Sequence, residues 1–171
     1  ADLGADVIKV ERPGMGDDTR AWGPPYMPAA AGFEAADASE AAYFQAANRG
    51  KRSLCVDIAT VEGQNLIKRL AAQADVLIEN FKPGTLEKWG MSPEDLKKDN
   101  PGLITARISG YGQTGPRSHL PGYASVCEGY GGFRYVNGFP DRPPVRPNLS
   151  IGDTLAGLHA AMGVMLAYIQ R

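Results

Sequence analysis

The chain has 171 residues, of which 43% are hydrophobic and 22% charged, with a formal net charge of -1. A chain of this length buries roughly 70% of its unfolded surface, so a core forms without disulfide or metal staples, and the balanced charge excludes an electrostatic case for nucleic acid as a partner. No signal peptide and no bilayer-spanning apolar run is evident, so no membrane partner is expected. Cys55 and Cys127 lie in apolar stretches without C-x-x-C spacing, as expected of buried thiols in a reducing compartment.

In chain order, four short apolar runs read as strands: Val7 to Val10, Leu54 to Ile58, Val76 to Ile78 and Leu103 to Ile108. Between them lie helical patterns. Glu62 to Ala74 sets Leu66, Ile67, Leu70 and Ala71 on one face, and Ser92-Pro93-Glu94-Asp95 is a capped start with proline at the first helical position. A final helix, Thr154 to Gln170, is expected to bury Leu155, Leu158, Met162, Leu166 and Ile169, with Gly157 and Gly163 allowing close backbone approach. Strands alternating with helices predict an α/β fold: a Rossmann-like parallel sheet with flanking helices, its ligand contacts in loops leaving the carboxyl ends of strands. Arg12 to Ala31 and Pro116 to Pro147 resist the pattern. The chain opens without Met on a helix tail and closes at Arg171 in a helical turn, which reads as a fragment of a longer chain.

Asp153 carries the strongest chemical signal, in the tract Arg146 to Gly157 where a glycine-marked turn enters the last helix. A lone carboxylate there fits a nucleophile, and it equally fits a plain N-cap. Basic residues cluster at strand edges: Arg12, Arg49, Lys51, Arg52, Lys82 and Lys88, which fit either nucleotide phosphates or ordinary solvated charge. In Asn80-Phe81-Lys82-Pro83-Gly84 an amide, an aromatic face and a cation leave one strand end together, although Phe81 also suits a core position. Gly110-Tyr111-Gly112-Gln113-Thr114-Gly115 has the letters of a dinucleotide-binding turn. No helix signal follows it and no acidic residue stands about 20 positions on, so nicotinamide and flavin are not expected. His119 and His159 are too few for a metal site, and none is expected.

The segments Val7 to Pro13 with Gly16 to Arg20, Asn48 to Ser53, Ala74 to Gly84, Gly110 to Pro116 and Gly152-Asp153 resemble the class III coenzyme A transferases, the CaiB/BaiF family, in order and spacing over essentially the whole chain. The resemblance implies that residues 1–171 are part of a single CoA-binding α/β large domain, incomplete at both ends, whose smaller partner domain lies elsewhere in the sequence. It implies a nucleophilic Asp153. It also implies CoA contacts at Arg12, at Val56, Asp57, Ile58 and Ala59, at Asn80, Phe81, Lys82 and Lys88, and in the loop Leu120 to Tyr123. Lysines that some relatives carry are replaced here by Ala59 and Pro121.

The implied reaction moves CoA from an acyl-CoA donor to a free carboxylic acid, with CoA as substrate, no tightly bound cofactor and no metal. An interlocked homodimer in the cytoplasm is implied, or in the mitochondrial matrix if the source is eukaryotic. Arg134, Arg142 and Arg146 would suit a dicarboxylate and equally suit a surface loop kept soluble by charge; the donor expected is succinyl-CoA or a similar dicarboxylyl thioester. Two rivals stand beside this reading. The α-methylacyl-CoA racemase branch resembles the chain too, but uses a histidine where this chain has Tyr123, and tyrosine, with a pKa near ~10, is a poor proton shuttle at neutral pH. A non-catalytic CoA-binding protein would use Asp153 only as a cap.

Overall fold

The computed structural model describes residues 1–27, 40–147 and 149–171, so the end of the irregular Arg12 to Ala31 stretch and Asn148 lie outside the described residues. They fall into two units, Ala1–Gln64 and Asn65–Arg171.

In the first unit, strand β1 (Ile8–Glu11) accompanies a short 3-10 turn (Asp18–Ala21), β2 (Tyr26–Met27), β3 (Glu40–Ala41), helix α1 (Ala42–Asn48) and β4 (Arg52–Cys55). β1 pairs with β4 in parallel, Ile8 opposite Arg52 and Glu11 opposite Cys55, while β2 and β3 form a two-residue antiparallel ladder. The main ladder is bracketed by Arg52 N–H on the Val7 carbonyl and Val56 N–H on the Glu11 carbonyl, both 2.9 Å. The expected strand Leu54 to Ile58 therefore begins earlier and stops at Cys55. Beyond Val56, Asp57 captures the Ala59 N–H at 3.0 Å and turns the chain away. Cys55, expected to be buried, is exposed at the strand end.

The core of this unit holds Ala41, Phe44 and Val56 together with one carboxylate, Glu11, only 6% exposed. Glu11 is satisfied on both oxygens. Arg20 donates to it twice, at 2.8 and 2.9 Å, Ser53 Oγ at 2.8 Å and the Asp17 backbone N–H at 2.9 Å. Arg20 also lies 3.9 Å over the Phe44 ring and pairs with Glu40. The Arg20 hydrogen bond, helped by Ser53 and Asp17, outweighs burial and holds the Glu11 carboxyl at about 2.

Helix α2 (Val61–Ala71) carries the chain into the second unit, which continues with β5 (Val76–Glu79), α3 (Thr85–Lys88), α4 (Pro93–Asp99), β6 (Ile104–Arg107), α5 (Ala124–Tyr130) and α6 (Ile151–Gln170). β5 and β6 pair in parallel, Val76 opposite Ile104 and Glu79 opposite Arg107. The parallel pairing thus exists as two separate two-stranded ladders, one in each unit, with flanking helices. Ile67 and Ala71 of α2 are buried, as its periodicity predicts, and Leu86, Met91, Leu96 and Leu103 complete this core. Ser92 caps α4 by accepting the Asp95 N–H at 3.0 Å, with Pro93 opening the helix as expected. Asn100 Nδ2 donates to the carbonyls of Ala71 and Ala74 at 3.0 and 2.8 Å, closing the end of α2.

Helix α6 departs from expectation. It starts at Ile151 rather than Thr154, with Ser150 as its N-cap. Leu155, Leu158, Met162, Leu166 and Ile169, expected to be buried, are all exposed. The half-buried positions are instead Ile151, Gly152, Ala156, Ala160, Val164 and Ala167, after Ile151 a stripe of mostly small side chains, and α6 meets α5 and β6. A helix apolar on nearly every face carries two candidate stripes. The small residues allow closer approach, which periodicity of the large ones does not register. Among the described residues nothing lies within 4 Å of a Cβ added at Gly157 or Gly163, so neither provides the expected close approach. No helix of the described residues is long and apolar enough to cross a membrane.

Glu11 makes this unit acid-sensitive. A carboxyl lowered from 4.5 to about 2 contributes stability fully present above pH 4.5 and lost as the pH falls toward 2. In urea unfolding at pH 7 and pH 3, Glu11→Gln is expected to cost about 3 kcal/mol at pH 7 and to flatten the loss on acidification.

Candidate functional site

Of the proposed site residues, Arg12, Val56 to Ala59 and Asn80 to Lys82 follow the carboxyl ends of β1, β4 and β5, whereas Lys88 ends α3, Leu120 and Tyr123 precede α5, and Asp153 lies in α6. In the first unit Arg12 follows β1, exposed and paired with Asp18, and the Val56 N–H reaches the neighbouring Glu11 carbonyl. Val56 is buried, Ile58 half-buried, and Asp57 and Ala59 exposed. The turn they form lies directly on the start of α2, where a Cβ at Gly63 would stand 2.0 Å from the Asp57 carbonyl oxygen. Gly63 was not singled out in the sequence, because its need arises only from that contact.

In the second unit the site is built as a succession of backbone contacts. Ile108 N–H donates to the Glu79 carbonyl at 2.9 Å, so the chain leaves β5 at Asn80 beside the point where it leaves β6. Asn80, Phe81, Lys82 and Lys88 are exposed, and the Phe81 ring meets Trp89 edge-on at 5.3 Å. Their base is Glu79, 6% exposed, whose Oε2 accepts the Phe81 N–H at 2.6 Å and whose Oε1 accepts Arg107 Nε at 2.7 Å. Arg107 also grips Glu87 with NH1 and NH2, at 2.6 and 3.2 Å, which lowers the Glu87 carboxyl and raises the guanidinium. The Glu79–Arg107–Glu87 network fixes the strand-end loop. Its signal in the sequence was two charges at the ends of apolar strands, which look like surface residues.

Past β6, Gly110 packs against Gly122. A Cβ on Gly110 would fall 2.5 Å from the Gly122 Cα, and one on Gly122 would fall 2.6 Å from the Gly110 Cα. The glycine tract therefore serves a backbone crossing, and turns rather than a helix follow it through Leu120. Cys127, half-buried, donates its Sγ–H to the Gly110 carbonyl at 3.2 Å and secures the same crossing. Leu120 and Tyr123 are exposed, and Tyr123 is the N-cap of α5. The crossing brings the start of α5 to the start of α6: a Cβ on Gly152 would lie 3.1 Å from Ala124 Cβ and 3.2 Å from Glu128 Oε1.

Asp153 thus stands one residue beyond this contact, and Tyr123 one residue before it. Asp153 is not the cap. It is the third residue of α6, in the first turn, exposed, and among the described residues it makes no hydrogen bond or ion pair. A carboxylate in a first helical turn is favoured by the helix dipole by about 0.3–1 kcal/mol. Of the arginines considered for a dicarboxylate, Arg142 lies over the Phe139 ring at 5.3 Å and Arg146 Nε stands 3.9 Å from Glu128 Oε2. Among the described residues no group of three or more His, Cys, Asp or Glu could hold a metal ion.

The model of CoA-transferase family III matches residues 1–171. The chain belongs to this family. It is 47% identical over 171 residues to the succinyl-CoA–D-citramalate CoA-transferase of Chloroflexus aurantiacus, covering 100% of this chain and 40% of that protein. It is 46% identical over 169 residues to the succinate–glutarate CoA-transferase of Agrobacterium fabrum, covering 99% of this chain and 41% of that protein. A crystal structure of a CaiB/BaiF family protein from Brucella suis superposes with a TM-score of 0.90 at 48% identity, over 99% of this chain and 43% of that one. The chain spans about two fifths of the length of these curated relatives.

The Gly110–Gly122 crossing predicts a contrast between two glycines. Gly110→Ala is expected to destabilise the protein by about 1–3 kcal/mol, because backbone faces the new methyl. Gly157→Ala, in open space within a helix, is expected to stabilise by about 0.5–1 kcal/mol. Chemical denaturation of both variants checks the pair.

Proposed function

We propose that the protein is a CoA-transferase that takes CoA from an acyl-CoA donor, succinyl-CoA foremost, and delivers it to a free carboxylic acid, with Asp153 as nucleophile. The observation that carries this reading is the exposed Asp153 carboxyl in the first turn of α6, without a partner among the described residues, one residue beyond the Gly152 contact with Ala124 and Glu128 of α5. The succinyl donor is supported by the similarity to the succinyl-CoA–D-citramalate CoA-transferase of Chloroflexus aurantiacus.

The Asp153 carboxylate attacks the donor thioester carbonyl, the C–S bond breaks, and a mixed anhydride forms as CoA leaves as its thiolate. The thiolate then attacks the Asp153 carbonyl, releasing the donor's acid as a carboxylate and leaving an aspartyl-CoA thioester. The acceptor carboxylate repeats these steps in reverse order: it displaces CoA to form a second anhydride, and the thiolate attacks the acceptor acyl carbon, regenerating Asp153. One thioester replaces another, so no ATP is consumed. A carboxylate is a weak nucleophile, and the rate rests on holding the reactants in attack geometry, where effective molarities of order 10⁵ M are attainable.

Arg12, the turn Val56 to Ala59, and Asn80, Phe81, Lys82 and Lys88 are the CoA contacts in this reading, with Leu120 and Tyr123 along the pantetheine arm. The binding energy of that handle is spent on positioning the thioester. A cytoplasmic homodimer of the complete gene product is part of the same proposal.

Incubating the complete gene product with succinyl-CoA and a panel of carboxylic acids tests it. Hydroxylamine trapping and peptide mass are expected to place a hydroxamate on Asp153, with acceptor-dependent new thioesters, and Asp153→Asn is expected to abolish both. Absence of any adduct, with solvent deuterium entering the α-position of a 2-methylacyl-CoA, would overturn the transferase reading in favour of racemisation.

A further inference from the structure

Glu128 is a buried carboxyl that the reaction as written does not use. It sits on α5, 6% exposed, and was not singled out in the sequence because it interrupts a short apolar helix. Its Oε1 accepts the backbone N–H of Gly152 at 3.1 Å. Gly152 is the second residue of α6, where a free N–H ordinarily finds its acceptor on the cap residue. Ser150 makes no such side-chain bond here, so a residue from another helix does the capping. The fit is close, since a Cβ at Gly152 would lie 3.2 Å from that same oxygen. The other carboxyl oxygen, Oε2, is buried without a hydrogen-bond partner among the described residues. Arg146 Nε, at 3.9 Å, is too distant to supply one.

We propose that Glu128 is a positioning residue for Asp153, holding the first turn of α6 through Gly152 so that the carboxyl keeps one attack geometry throughout the double displacement. The proposal rests on the reading of Asp153 as nucleophile. That group attacks a thioester, is attacked by a thiolate, and then undergoes both events in reverse, so an error in its placement is felt at every step. Displacement by about 1 Å is enough to cost roughly 10²-fold in rate. The buried, half-satisfied carboxyl at the joint between α5 and α6 is the kind of group retained for function rather than for stability.

The test uses the complete gene product, succinyl-CoA and an accepted acid, with active sites counted by the aspartyl adduct. Glu128→Gln keeps an acceptor oxygen in place and is expected to retain kcat within about threefold, whereas Glu128→Ala is expected to lower kcat by roughly 10²-fold with KM for succinyl-CoA within about threefold. Glu128→Asp, one methylene short of Gly152, is expected to follow the alanine variant, and it carries the test if the alanine variant fails to fold. Wild-type kcat per active site in the aspartate or alanine variant would overturn the proposal, as would equal loss in the glutamine and alanine variants. Failure of the underlying reading is separately visible, since wild-type protein would then give no adduct on Asp153.

Discussion

Three buried carboxyls, each anchoring a backbone N–H, set the form of both units. Glu11, Glu79 and Glu128 are each 6% exposed. Glu11 takes the N–H of Asp17, Glu79 that of Phe81, and Glu128 that of Gly152. Phe81 is itself a candidate site residue and Gly152 precedes Asp153, while Asp17 precedes Asp18, the partner of Arg12. A loop leaving a strand end has lost its ladder partners, and its free N–H groups must find acceptors. A carboxyl supplied from the strand or from a neighbouring helix satisfies that need and fixes the loop in one arrangement.

The cations divide accordingly. Arg20 and Arg107 are committed to buried carboxyls, Arg20 to Glu11 and Arg107 to Glu79, and their role is architectural. Lys82 and Lys88 are exposed on the loop that Glu79 fixes, and Arg12 is exposed beyond β1 with an exposed aspartate as partner. An exposed ion pair of that kind is worth about 0–1 kcal/mol, so Arg12 is held far less firmly than Arg20 or Arg107. The structure thus separates cations committed to buried carboxyls from cations left exposed, a distinction invisible in a list of basic residues.

Much of the architecture was legible because local rules and packing agreed. The α2 periodicity placed Ile67 and Ala71 in the core, the Ser92-Pro93 start opened α4, and the short apolar runs paired in parallel. Strand ends shifted where a side chain intercepted the backbone, as Asp57 does after β4. Helix α6 was misread because large apolar residues dominate its pattern while small ones make its contacts. Cys55 was misplaced for a related reason: an apolar neighbourhood in sequence does not place a strand's last residue under cover.

The sequence by itself determined the α/β alternation, the candidate nucleophile and the family, because these rest on local periodicity and on motifs of fixed order and spacing. Only the tertiary structure decided which glycines are needed for backbone approach: Gly110, Gly122 and Gly63 meet backbone distant along the chain or around a turn, whereas Gly157 and Gly163 meet nothing among the described residues. It also decided that Asp153 lies inside the first turn of α6 rather than capping it, and that Glu128 takes the N–H a cap would have taken. Steric room and hydrogen-bond partners of this kind belong to pairs of residues brought together in space, and no single position in the chain encodes them.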